Sequence, residues 1–163
     1  MNQKAVPAIL IVEDEGLIAL EMMEFLARQG YRVIEPVPTG EEAVKRCGDD
    51  PRPDLVLMDV HLAGKIDGLE AMRRIHEQFS IPVIILTACD NGVIGRRMNE
   101  LVPEGHLVKP ATSEALLATI SLILDSQARQ GSEKTGFEEC CDSWQTGTEQ
   151  EFSKKTPGNY LGL

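Results

Sequence analysis

The chain has 163 residues, enough for one domain with a full apolar core and no need of disulfide or metal staples. Its formal net charge is −10, and the residues up to Asp125 already hold 20 acidic groups against 12 basic ones. That balance argues against a nucleic-acid footprint, which wants clustered Lys and Arg, and no apolar run approaches a membrane span. Met1-Asn2-Gln3-Lys4 leads directly toward a strand without a signal-like apolar stretch, so a soluble, cytoplasmic protein is expected.

Apolar runs alternate with amphipathic stretches along the chain, the pattern of βαβ units on a parallel sheet. Ile9-Leu10-Ile11-Val12 has no polar alternation, so helices should cover both faces of its sheet. Ile18, Met22, Phe25 and Leu26 recur at helical spacing over about 16–29, with Gly30 as the C′ residue. Tyr31 to Ile34 reads as a weaker strand bounded by Pro36 and Pro38. Thr39-Gly40-Glu41-Glu42 has the form of a capping box and opens a second helix that ends near Gly48. Leu55-Val56-Leu57-Met58-Asp59 is a third strand, followed by a loop from Val60 to Gly68 and a helix over about 69–78. Pro82 starts a fourth strand through Val83-Ile84-Ile85-Leu86. A helix over about 89–101 is weakened by Asn91-Gly92 and Gly95, and 105–108 forms a fifth strand. Thr112 or Ser113 caps a final helix carrying Leu116, Leu117, Ile120, Leu122, Ile123 and Leu124. From Ser126 on, the chain turns polar, with scattered Phe137, Trp144, Phe152 and Tyr160. The expected division is therefore a domain over 7–125 and a disordered or loosely docked tail over 126–163.

The four cysteines, Cys47, Cys89, Cys140 and Cys141, include no C-x-x-C pair, and neighbours 140 and 141 are poor candidates to bridge each other. They read as reduced thiols. Arg96 and Arg97 read as a solvated face, with partner contact as the less favoured alternative.

The chemistry lies at the strand ends. Glu13 and Asp14 close the first strand, Asp59 the third, Thr87 the fourth and Lys109 the fifth. In an open parallel sheet, ligands bind outside the carboxyl ends of the strands, and order 2-1-3-4-5 makes the first and third strands neighbours. Three nearby carboxylates repel one another unless a cation neutralises them, and a hard divalent ion with oxygen ligands, Mg²⁺ above all, suits them. Asp59 then becomes a candidate covalent acceptor of a phosphoryl group. Lys109 would neutralise one phosphoryl oxygen and the Thr87 hydroxyl would bond another.

Glu13-Asp14, Leu57-Met58-Asp59, Asp67-Gly68-Leu69-Glu70-Ala71, Thr87-Ala88 and Lys109-Pro110 stand together in an order and spacing that resembles the receiver domains of two-component response regulators, over about residues 7–125. The resemblance implies an α/β, flavodoxin-like (βα)₅ doubly wound parallel sheet of strand order 2-1-3-4-5. It implies Asp59 as phosphoacceptor, with Glu13, Asp14, Asp59 and the backbone carbonyl of His61 around Mg²⁺ or Mn²⁺. Thr87, Ala88 and Lys109 would contact the phosphate and carry the switch. The implied partners are a sensor histidine kinase or a phosphotransfer protein and a downstream protein, with no direct DNA or membrane binding. Three departures stand out. The 60–68 loop is one residue longer than the commonest form and resembles a G-x-x-D-G variant. His106 occupies the position of the family's switch aromatic, which bears on the usual Thr–aromatic coupling. Ala111 follows Pro110 where a large residue is frequent, so the hinge into the last helix is expected to pack loosely.

The expected function is a single-domain response regulator. Two alternatives stand beside it: a phosphorylation-independent receiver-like interaction module, and an aspartyl-nucleophile phosphatase of the haloacid-dehalogenase type. The latter needs a second carboxylate two residues past the nucleophile, where His61 stands.

Overall fold

Uninterrupted runs of Ile, Leu and Val bury both faces of a strand only where helices flank the sheet on either side. The chain realises this with β1 (Ala8–Val12), β2 (Arg32–Val37), β3 (Leu55–Asp59), β4 (Val83–Thr87) and β5 (Gly105–Val108). Between and after them come α1 (Gly16–Arg28), α2 (Gly40–Gly48), α3 (Gly68–Phe79), α4 (Gly92–Leu101) and α5 (Ser113–Glu133). The structure is a computed structural model and describes residues 6–88 and 92–133. Cys89, Cys140, Cys141, Trp144 and most of the expected tail lie outside the described residues.

All strand pairs are parallel, in the order β2-β1-β3-β4-β5. Alternate residues of β1 face opposite layers. Leu10 and Val12 pack with Val56, Met58, Met72 and Ile85 under α2, α3 and α4. Ile9 and Ile11 pack with Leu55, Leu57, Ile84, Leu26 and Ile120 under α1 and α5. The sheet is therefore sandwiched between two apolar layers, and its strand ends open on one rim.

The caps follow the local sequence. The Thr39 hydroxyl accepts from the Glu42 amide (3.2 Å), as the capping-box pattern requires. Thr112 is the residue that caps α5, its Oγ1 accepting from the Ala115 amide at 3.2 Å. Gly30 takes the C′ position of α1 with φ of 89°.

Two boundaries differ from expectation. The second strand runs to Val37 and includes Pro36. It is an edge strand, where a missing amide is tolerated, and its register slips between Leu10↔Ile34 and Val12↔Val37, leaving the extra residue in a bulge. The last helix does not stop at Asp125 but continues to Glu133. Gln127, Ala128 and Arg129 are good helix formers, so the helix outlasts its apolar stripe with solvent-facing side chains. Ala111 is exposed, and with Ile18, Met22, Lys109, Pro110 and Leu116 it lines a groove of about 510 Å³ between α1 and α5.

Candidate functional site

The sheet order places the acid-ended strands side by side. Val12 pairs with Met58, so Glu13 and Asp59 follow as neighbours at the ends of β1 and β3. Asp59 pairs with Leu86, which puts Thr87 one residue further along β4. Thr87 pairs with Val108, and the Lys109 amide donates to the Thr87 carbonyl at 2.7 Å. Backbone hydrogen bonds alone thus bring acid, acid, hydroxyl and ammonium to one rim.

The side chains converge on a single point. The Lys109 ammonium donates to Glu13 Oε2 at 2.6 Å and to Asp59 Oδ2 at 2.5 Å. The other Asp59 oxygen, Oδ1, accepts from the His61 amide at 2.9 Å, and Glu13 Oε1 accepts from the Glu15 amide at 3.2 Å. Glu13 is 4 % exposed, Asp59 7 % and Thr87 0 %, so both carboxylates and the hydroxyl are set into the protein. Burial raises the Glu13 carboxyl above its ordinary range, against the opposing pull of Lys109. Burial acts to lower the Lys109 ammonium, but its hydrogen bonds to Asp59 and Glu13 outweigh this and hold it above its ordinary value. Two carboxylates share one positive charge.

That shared charge tests the site for a divalent cation. Glu13 and Asp59 already aim an oxygen each at one cationic atom, and Mg²⁺ needs only one or two carboxylates because it keeps several waters. The donor set is all oxygen, as a hard ion requires. Asp14 is not gathered with them: its side chain is exposed and lines a groove of about 360 Å³ with Leu20, Glu35 and Pro38 at the rim. Among the described residues no three His, Cys, Asp or Glu side chains form a ready metal cluster. The residues fit the ion through Glu13 and Asp59. The imidazole of His61 is exposed.

The loop after Asp59 is closed at both ends. The Gly68 amide donates to the Val60 carbonyl at 3.0 Å. A Cβ on Gly68 would lie 1.9 Å from the Asp59 carbonyl oxygen, so only glycine lets α3 begin against the strand end. At the loop's far side Gly64 has φ of 105°, and Glu41 Oε1 accepts from the Lys65 amide at 2.7 Å. Asp67 caps α3 by accepting from the Glu70 amide at 2.9 Å, and its carboxylate also meets both terminal nitrogens of Arg97 at 2.5 and 3.1 Å. Glu41 and Arg97 are the contributors that sequence reasoning missed. Arg97 is not merely solvated; it ties α4 to the 60–68 loop.

His106 pairs with Ile85 in β5 and is exposed. It lines a groove of about 370 Å³ with Gly95, Met98, Asn99, Val102 and Pro103. Ala88, at the end of β4 beside Thr87, is exposed and presents no bulk over the site.

Comparison with known proteins identifies the family. A model of the response regulator receiver domain matches residues 9–121. The chain is 34 % identical over 131 residues to the transcriptional regulatory protein AfsQ1 of Streptomyces coelicolor, covering 80 % of this chain and 57 % of that protein. It is 41 % identical over 116 residues to the phyllosphere-induced regulator PhyR of Methylorubrum extorquens, covering 71 % and 43 %. The chain thus spans about half the length of these curated relatives. Among solved structures, the signal receiver domain of a modulated diguanylate cyclase from Desulfovibrio desulfuricans G20 superimposes with a TM-score of 0.71 at 33 % identity, over 77 % of this chain and 98 % of that one. The family match runs from β1 into α5, and on it the chain belongs to the response regulator receiver domain family of two-component signalling.

Proposed function

We propose that this protein is a single-domain response regulator that accepts a phosphoryl group on Asp59 from a histidine kinase or phosphotransfer protein. The observation that carries the reading is the Lys109 ammonium, which joins the buried Glu13 and Asp59 carboxylates at one strand-end rim. An Asp59 oxygen attacks phosphorus, the phosphorus–nitrogen bond to the donor imidazole breaks, and the imidazole keeps the electron pair and takes up a proton from solvent. An acyl phosphate and a neutral donor histidine result. Lys109 then exchanges its Asp59 oxygen for a phosphoryl oxygen, the Thr87 hydroxyl bonds a second, and the small Ala88 leaves its backbone amide open to a third. Glu13, Asp59, Asp14 and the His61 carbonyl are the residues that would hold Mg²⁺ or Mn²⁺, which when bound neutralises charge on the transferring group. Hydrolysis by water returns the carboxylate and inorganic phosphate.

Output would then pass through protein contact. The described residues form the five strands and five helices of the receiver, and no helix among them is long and apolar enough to cross a membrane. The proposed partner face is α4, β5 and α5, where His106 and Met98 line a groove. The phosphatase alternative lacks its second carboxylate, because the residue two past Asp59 is His61.

The test is incubation with a small phosphodonor and Mg²⁺, read by intact mass. Wild type should gain one phosphoryl mass that Asp59→Ala does not. No gain on wild type, or an equal gain on the variant, refutes the assignment.

A further inference from the structure

We propose that the Asp67–Arg97 ion pair is the coupling through which chemistry at Asp59 sets the position of α4. This rests on the reading of Asp59 as phosphoacceptor.

The path is short and made of contacts with little slack. Gly68 lies directly against the Asp59 backbone, and its amide bonds Val60, so the 60–68 loop starts and ends at the acceptor. Any displacement of the chain after Asp59 reaches Gly68 at once, and Asp67 is bonded to it. The Asp67 carboxylate then holds two helices: the first turn of α3 through the Glu70 amide, and α4 through the Arg97 fork. A two-pronged guanidinium–carboxylate contact fixes orientation as well as distance, so it transmits rotation where a single bond would swivel. Arg97 sits next to Met98, which is buried in the core and also forms the groove wall facing His106. Movement of Arg97 therefore moves the groove.

A second route runs from Thr87 to β5. Thr87 is fully buried, whereas His106 is exposed and lines the α4 groove. The Asp67–Arg97 pair joins the 60–68 loop to α4 directly. Both its side chains are 39 % exposed, so it adds little to stability and its removal leaves the fold intact. A coupling of the usual size for two linked sites changes an equilibrium at least about fivefold.

The experiment is hydrogen–deuterium exchange of the full chain with and without beryllofluoride and Mg²⁺, on wild type, Arg97→Ala, Arg97→Lys and Asp67→Ser. Asp67→Ser keeps an N-cap for α3 while deleting the ion pair. Phosphoryl mass from a small phosphodonor is read on the same samples. The expected result is a change in exchange across residues 92–101 of wild type that falls at least fivefold in Arg97→Ala and Asp67→Ser, with partial recovery in Arg97→Lys. All variants should still take the phosphoryl mass. A response across 92–101 in Arg97→Ala equal to wild type overturns the coupling alone. A wild-type chain that takes no phosphoryl mass overturns the reading of Asp59, and this inference with it.

Discussion

Replacing Lys109 with Ala removes the positive charge shared by Glu13 and Asp59, whose side chains are only 2 % and 10 % exposed. Removing one partner of a buried pair costs about 3–5 kcal/mol, because the remaining charge is left unpaired. Two effects reduce this here. Lys109 is itself a quarter exposed, so water enters the space it vacates. Glu13 can also escape by taking up a proton. At pH 7 that costs about 1.4 kcal/mol for each of roughly three pH units above an ordinary Glu value, a ceiling of ~4 kcal/mol. Burial already raises the Glu13 value, so the escape comes below the ceiling. The expected loss is ~2–3 kcal/mol in chelator at pH 7, or ~10 °C in Tm at about 4 °C per kcal/mol for a domain of this size. The sign with pH follows. The variant's deficit shrinks as pH falls toward 4, because Glu13 becomes neutral and needs no partner. On the alkaline side the raised Lys109 value means the wild-type gain is fully present below about pH 10.4 and disappears as pH rises through the folded-state value. In an Asp59→Asn background the same Lys109→Ala change should cost markedly less, since the two residues are in contact. Thermal and urea unfolding across pH measure all of this. A loss under about 0.5 kcal/mol at pH 7, or a deficit that grows on acidification, refutes the reasoning.

Gly68→Ala would force a Cβ into the Asp59 carbonyl, and a shift of α3 or the strand end should cost ~1–3 kcal/mol and slow phosphoryl uptake together; unchanged uptake and melting would show that the contact is slack. Asp67→Ala should destabilise by ~1 kcal/mol more than Asp67→Ser, because only serine retains the cap on Glu70; equal melting would remove that role. Arg97→Ala should cost ~0.2–1 kcal/mol above pH 5. The Arg97 hydrogen bond holds the Asp67 carboxyl below its ordinary range, so this contribution is present above the unfolded value of ~3.9 and is lost as pH falls through the folded one. Cys47 is fully buried with its thiol pushed up to about 12, so its peptide should take alkylating label only as the protein unfolds; rapid labelling under native conditions would contradict the packing.

Much of the architecture is legible in local sequence because the strands announce themselves. Ile9 to Val12, Leu55 to Met58 and Val83 to Leu86 are short continuous apolar runs that suit buried strands of a parallel sheet, and each is followed by a polar residue at the rim. Pro36 sits within β2 because a proline breaks a strand only where its missing amide would face a neighbour, and the edge position of β2 is a property of the assembled sheet. α5 outlasts its apolar periodicity because that periodicity marks where a helix packs rather than where it stops. Glu13, Asp59 and Lys109 meet through hydrogen bonds, and Thr87 ends the neighbouring strand. Asp14 does not join them, since adjacent residues at a strand end point in different directions. Arg97 was missed for a related reason: it lies 30 residues from Asp67, and only the relative placement of α3 and α4 decides which arginine of the Arg96–Arg97 pair reaches a carboxylate.

The most direct measurement is chemical mapping of the acceptor. Wild-type protein treated with a small phosphodonor and Mg²⁺ is reduced with borohydride, which converts an aspartyl phosphate to homoserine, and its peptides are sequenced by mass spectrometry. Homoserine at position 59, absent when Mg²⁺ is withheld, is the expected result. Reduction at another carboxylate, or none above the untreated control, would contradict the assignment of Asp59.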